Sequence, residues 1–315
     1  MKLFRNKKVI AAVLTLLAVV GAAALAYKPL MKIYRKVAKL PDENGMYQIG
    51  EHWFQELETL KPQAAENFAT KLKTLQEKYL TEENRVFWAI VPDKSWYARE
   101  EGYPTFDHGT FQKQLETLLP EFTGIDLTNI LELDNYYKSD RHWKQETLQP
   151  VLYQLGQAMG FDVQVEDFEP NIFSPFYGDF SKYISGKKPE DTLIYLTNSD
   201  TEAAFVENYQ AKDVHTVYDI PRLESKLPYD VFLSGVTPVV TISNPNASSE
   251  KDLVIFRDSF GSSLAPLLCG EYRTITLIDL RFMLSSLIPD HVTFTNQDVL
   301  FLYSDWIASN SSLLK

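Results

Sequence analysis

Two short stretches carry residue types that can do chemistry together. In YYKSDRHW (136–143), Asp140 and His142 stand two positions apart. In RDSFG (257–261), Ser259 follows the apolar run DLVIF (252–256) and precedes the small-residue stretch GSSLAPLL. A serine hydroxyl is a poor nucleophile at neutral pH and needs a base within hydrogen-bond reach. Histidine suits that role because its unperturbed pKa is about 6.5. A carboxylate on the other ring nitrogen fixes the tautomer and stabilises the imidazolium as it forms. A serine at a strand-to-helix turn sits at the carboxyl edge of a parallel sheet, where open α/β sheets bind ligands. N–H groups at the helix start can stabilise an oxyanion there. Each stretch also has a plainer reading: Ser259 and Asp140 each cap a helix, with His142 solvated and Trp143 in the core. Spacing alone does not choose between them.

These residues need elements to position them. Trp53, Leu57, Leu60, Ala64, Phe68, Leu72 and Leu75 recur at helical spacing and predict one or two helices over about 50–80. RVFWAIV (85–91) reads as a buried strand ended by Pro92-Asp93, and GIDLTNILELD (124–134) as an extended stretch leading into YYKSDRHW. Periodicity from Trp143 to Met159 predicts a helix kinked or restarted at Pro150 and ended by Gly160. Further strands are expected at 192–196, 214–218, 239–243, 252–256, 274–279 and 298–303, with helix-like stretches at 261–268 and 282–287. Near-continuous apolar strands alternating with helices predict an α/β fold with a mainly parallel sheet covered on both faces.

The first 39 residues differ in kind. Lys2, Arg5, Lys7 and Lys8 precede an uncharged run from Val9 to Ala26, and five more basic residues follow by Lys39. At 1.5 Å per residue the run makes about 27 Å of helix, near the thickness of a hydrocarbon core. The length and the basic far flank predict a retained membrane anchor with a short basic cytoplasmic stub. Ala24-Leu25-Ala26 supports the alternative of a cleaved signal segment and secretion. Either way residues 40–315 are expected outside the cytoplasm as one domain. Nine of the 31 basic residues lie in positions 1–39 and all 42 acidic ones lie beyond, so the remainder carries about −20. That argues against nucleic acid, whose binding needs basic patches. With Cys269 the only cysteine, there is no intrachain disulfide. His52, His108, His215 and His291 show no metal-ligand spacing, and neither metal nor cofactor is predicted.

YYKSDRHW resembles the Asp-x-His-Trp motif of the DHHW family of exported bacterial proteins. That family is similar to the SGNH-hydrolase-like domain of alginate-type polysaccharide O-acetyltransferases. The resemblance runs from about Arg85 to Tyr303 through VPDKSWY (91–97), DNYYKSDRHW (134–143), SPFYGDFSKY (174–183), FRDSFGSSLAPLL (256–268), ITLIDLRF (275–282) and DVLFLYS (298–304). It implies a three-layer fold in which Ser259 is the nucleophile, His142 the base and Asp140 its orienting partner. The order Asp–His before Ser is the circularly permuted one of the acetyltransferase-like branch. Two positions depart from the pattern. Arg141 replaces the first histidine of DHHW, and Arg257 stands where the acetyltransferase block has glycine. No residue is assigned to the SGNH asparagine.

Tyr177, Arg281, Trp143 and Arg257 are candidates for lining a substrate cleft. Tyr177 can stack on a sugar ring or pack a loop. Arg281 can bind an anionic sugar or pair with Asp279. Asp258 is expected to stabilise its turn. The function implied is an extracytoplasmic O-acyltransferase acetylating a cell-surface polysaccharide through an acyl-serine. A membrane-bound O-acyltransferase is the implied acetyl donor. A carbohydrate esterase with the same triad, or a non-catalytic polysaccharide-binding or assembly protein, remains open at this point.

Overall fold

The computed structural model describes residues 27, 29–184 and 186–315. The expected anchor or signal run, 9–26, lies outside the described residues. Among those described, no helix is long and apolar enough to cross a membrane. In chain order the strands are β1 (Met46–Ile49), β2 (His52–Gln55), β3 (Arg85–Val91), β4 (Thr123–Ile125), β5 (Glu169–Phe176), β6 (Asp191–Thr197), β7 (Phe205–Asn208), β8 (Val239–Ser243), β9 (Asp252–Arg257), β10 (Thr274–Ile278) and β11 (Asp298–Ser304). The helices are α1 (Ala64–Tyr79), α2 (His108–Leu118), α3 (Gln149–Met159), α4 (Ser199–Ala203), α5 (Phe260–Leu264) and α6 (Asp305–Ser309).

A seven-stranded sheet runs β4-β3-β11-β9-β10-β8-β7, with every pair from β4 to β10 parallel and only β8 reversed. Alternation sends side chains to two cores. Phe87, Ala89 and Val91 of β3, Leu253 and Ile255 of β9, and Leu300 and Leu302 of β11 enter one, with α3 over them. Trp88, Ile90, Val254, Phe256, Phe301 and Tyr303 enter the other, under α1 and α2. A strand buried on both faces must be apolar almost throughout, which is why these runs read as strands in the sequence.

Elsewhere the structure departs from expectation. Residues 46–55 form an antiparallel hairpin around Gly50, at φ +58°, and the helix begins only at Ala64. His52 and Phe54 are buried there with period two, so Trp53 fitted the helical spacing by coincidence. The 143–159 helix starts at Gln149. Pro150 lies in its first turn, where a missing N–H costs nothing, so it starts the helix and does not kink it. The 192–196 run is β6, but it pairs only with β5, outside the main sheet. Residues 214–218 form a loop rather than a strand: a bridge pairs Tyr218 with Phe232, and one backbone bond, Val206 N–H to the His215 carbonyl, ties it to β7. Of the 124–134 stretch only Gly124 and Ile125 fall in a strand, β4, and the 282–287 segment yields a 3-10 turn at Ser285–Asp290.

Candidate active site

Parallel pairing of β9 with β11 brings their carboxyl ends together. Ser259 lies two residues past β9. The Asp258 carboxylate accepts from the Phe260 N–H (3.1 Å), the Ser304 N–H (2.8 Å) and the Ser304 hydroxyl (2.6 Å). It thereby staples the serine turn to the end of β11, the turn-stabilising role expected of it. Ser259 has helical backbone angles (φ −66°, ψ −18°), and its hydroxyl makes no capping bond. The oxygen meets His142 Nε2 instead, at 2.7 Å.

The segment 136–143 is not a helix start. Tyr136 and Trp143 face each other as a bridge, and the Tyr137 N–H donates to the His142 carbonyl at 3.1 Å, closing a tight loop. Asp140 sits within that loop, its Oδ1 accepting from the His142 N–H at 2.9 Å. Aspartate commonly folds onto the backbone two residues ahead in this way. The same Oδ1 lies 2.6 Å from His142 Nδ1, while Oδ2 accepts from the Asp179 N–H at 2.7 Å. Gly178 permits this approach, since a Cβ there would fall 2.3 Å from the Asp140 Cβ. The helix-cap reading of Asp140 is therefore replaced by an aspartate that orders its own loop and holds the histidine ring.

Residues from remote elements complete the mount. Tyr229 stacks on the His142 ring, centroids 3.9 Å apart and planes within 9°, and Phe260 meets it at 5.0 Å. The Tyr229 hydroxyl and the Trp143 Nε1–H both engage Ser263 Oγ, at 2.8 and 2.9 Å, so the two halves of the site share one anchor. Lys94 is 1% exposed, and its Nζ donates to the carbonyls of Tyr137 (2.6 Å) and Asp140 (2.9 Å). Burial pushes this ammonium down to about 7, against the opposing pull of Asp140, Asp93 and Asp191. Asp230, next to Tyr229, is pushed up to about 6 by burial, with Arg222 and His142 working the other way.

Burial alone would raise the Asp140 carboxyl. The facing His142 and the N–H groups of Asp179 and His142 outweigh that and hold it well below the usual carboxylate range. A depressed folded pKa contributes stability that is present above the unfolded value, about 3.9, and is lost as pH falls toward the folded one. Acid unfolding should therefore show it. Between about pH 5 and 2 the thermal midpoint of wild type should fall more steeply than that of Asp140→Asn; parallel curves there would contradict the depression.

Of the candidate cleft residues, two are removed. Trp143 is fully buried and spends its N–H on Ser263, and so cannot meet substrate. Arg257 is likewise fully buried, its Nη1 donating to Ser262 Oγ at 2.8 Å. Its stem occupies the space that a Cβ on Gly261 would need, 2.8 Å from the Arg257 Cβ, so the arginine folds beneath the turn without opening it. Arg281 clamps Asp279 through Nε and Nη2, at 2.9 and 2.6 Å, the ion-pair alternative. Tyr177, beside Gly178, is 37% exposed and makes no side-chain hydrogen bond among the described residues. Lys94, Tyr229 and Trp306 were not singled out from the sequence. VPDKSWY contains Lys94, but nothing in that motif announces a buried ammonium.

No protein-family model matches the chain, and no curated protein matches it in sequence. Solved structures do. A DHHW family protein from Eubacterium siraeum superposes with a TM-score of 0.69 at 19% identity, covering 87% of this chain and 95% of that one. PatB1 of Bacillus cereus, solved with a sulfonyl adduct, gives 0.63 at 18% identity over 84% and 95%. The O-acetyltransferase domain of Pseudomonas putida AlgJ is more distant, at 0.48 and 12% over 84% and 92%. Over most of its length the chain has the α/β fold of the DHHW protein and of PatB1, as the motifs led one to expect.

Proposed function

We propose that the protein is a serine-dependent O-acyltransferase that acetylates a polysaccharide outside the cytoplasm. The observation that carries this reading is the unbroken line Asp140 Oδ1–His142 Nδ1, His142 Nε2–Ser259 Oγ, with distances of 2.6 and 2.7 Å. A nucleophile, a base and an orienting carboxylate in that geometry are what acyl transfer requires. In the finer assignment the fold is an SGNH-hydrolase-like one with the permuted order Asp–His before Ser. The basic and apolar N-terminal run would anchor it to the membrane, and a membrane-bound O-acyltransferase would deliver the acetyl group.

In the first half-reaction Ser259 Oγ attacks the donor carbonyl carbon while its proton passes to His142 Nε2. Collapse of the tetrahedral intermediate breaks the donor C–O bond, and the leaving oxygen takes the proton from His142. A sugar hydroxyl then gives its proton to His142 and attacks the acyl-serine, and Ser259 leaves with that proton restored. The Ser259 N–H makes no hydrogen bond among the described residues, leaving it available to a developing oxyanion. Asp140 stays ionised throughout, consistent with its depressed pKa.

The test is product analysis with purified protein, a small acetyl ester and candidate oligosaccharides. Acetylated sugar that requires Ser259 supports transfer. Ser259-dependent donor loss that is purely hydrolytic with every acceptor would make the protein an esterase. Absence of both acetyl-ester turnover and sulfonyl labelling in folded protein would leave only a binding role.

A further inference from the structure

The loop that holds His142 also builds a surface beside it. Arg141 lies between Asp140 and His142 in the chain, and its guanidinium carbon is 4.9 Å from the Trp306 ring centroid and 5.5 Å from that of Phe180. Its Nη2 donates to Gln55 Oε1 of β2, and its Nε and Nη1 have no hydrogen-bond partner among the described residues. Trp306 stands two residues after Ser304, which is bonded to the carboxylate next to Ser259. Trp306 is thus bracketed by both halves of the proposed triad, tied to the serine turn through the chain and to the histidine loop through Arg141. The residue is 41% exposed.

Exposing an indole is unfavourable unless something covers it, and tryptophan is enriched where ligands and partners are bound. The Arg141 cation lies 4.9 Å from the ring centroid, an attraction that holds the two side chains side by side. We infer that Trp306 and Arg141 form an acceptor subsite: a pyranose ring lays its C–H face on the indole, and oxygens of that sugar accept from Arg141 Nε and Nη1. The inference rests on the acyltransferase reading for its purpose, but not for its chemistry. A flat ring with apolar faces and acceptor oxygens at its rim matches a flat indole edged by forked N–H donors. The oxygens can belong to hydroxyls of a neutral sugar or to a uronic carboxylate. In a domain of net negative charge, the Arg141 N–H groups without a partner are the feature that would draw acceptor oxygens.

The experiment is calorimetric titration of neutral and uronic oligosaccharides into Ser259→Ala protein, which binds without reacting. Adding Trp306→Ala should weaken Kd at least tenfold, Trp306→Phe should restore most of it, and Tyr153→Ala, an exposed tyrosine on α3, should change nothing. Arg141→Gln should weaken the uronic series selectively if a carboxylate is bound, and both series alike if hydroxyls are. In case Trp306→Ala fails to fold, a second readout is the indole N–H resonance that disappears in Trp306→Phe; it should move on adding sugar. Absence of binding by every oligosaccharide, affinity indifferent to Trp306→Ala, or an unmoved indole resonance would each overturn the subsite. Because binding is read without turnover, those results are separate from failure of acyl transfer, which shows as loss of Ser259-dependent chemistry in protein that still binds sugar.

Discussion

Ser259→Ala is expected to lower acetyl-ester turnover by about 10⁴-fold or more, and His142→Ala by a similar factor, with the fold intact. The reason is geometric. In the proposed mechanism the two side chains act as a unit through one 2.7 Å contact, so removing either would abolish the activated nucleophile. The double variant should therefore be no worse than either single one, since groups acting as a unit lose activity non-additively. Rates for donor hydrolysis and for transfer should fall together, because both share the acyl-serine. Independent, additive losses in the single and double variants would show that the hydrogen-bonded line is a packing feature and not a catalytic one.

Lys94→Met is expected to destabilise the protein by about 3–5 kcal/mol, one of the largest single-residue effects outside the sheet core. Methionine matches the stem but donates nothing, leaving the Tyr137 and Asp140 carbonyls buried without their Nζ partner. Those carbonyls belong to the loop that carries His142, so any protein that folds should also lose about 100-fold in kcat/KM through misplacement of the ring. Chemical denaturation and steady-state rates measured well below the midpoint separate the two effects. Unchanged stability would mean that the buried ammonium had been offsetting its own desolvation and no more.

Much of the scaffold was legible before any coordinates. RVFWAIV, DLVIF, TITLI and DVLFLY became β3, β9, β10 and β11 because a parallel strand covered on both faces admits few polar residues, and that demand is written along the chain. Gly160 ended α3 at the residue foreseen, in the left-handed conformation that glycine adopts freely. Residues 50–55 were misread because Trp53 extended a helical period by chance, while the alternation of His52 and Phe54 was too short to compete.

The site divides along the same line. From the sequence came Ser259, His142 and Asp140, since nucleophile, base and orienting carboxylate are matters of residue type, and their motifs stand in a recognisable order. Trp143 and Arg257 looked just as suitable by type, yet both are buried, because exposure depends on what packs above a residue and not on its neighbours in the chain. Only the fold shows that Asp140 closes a loop of its own, that Gly178 must lack a side chain against it, and that Lys94 and Tyr229 hold the loop and ring from elements 46 and 87 positions away. Arg141, which departs from the DHHW pattern, gains its meaning in the same way: its partners Gln55, Phe180 and Trp306 are brought to it by three separate elements. Residue type states which chemistry is available, and tertiary packing decides which groups are desolvated, oriented and left open to a substrate.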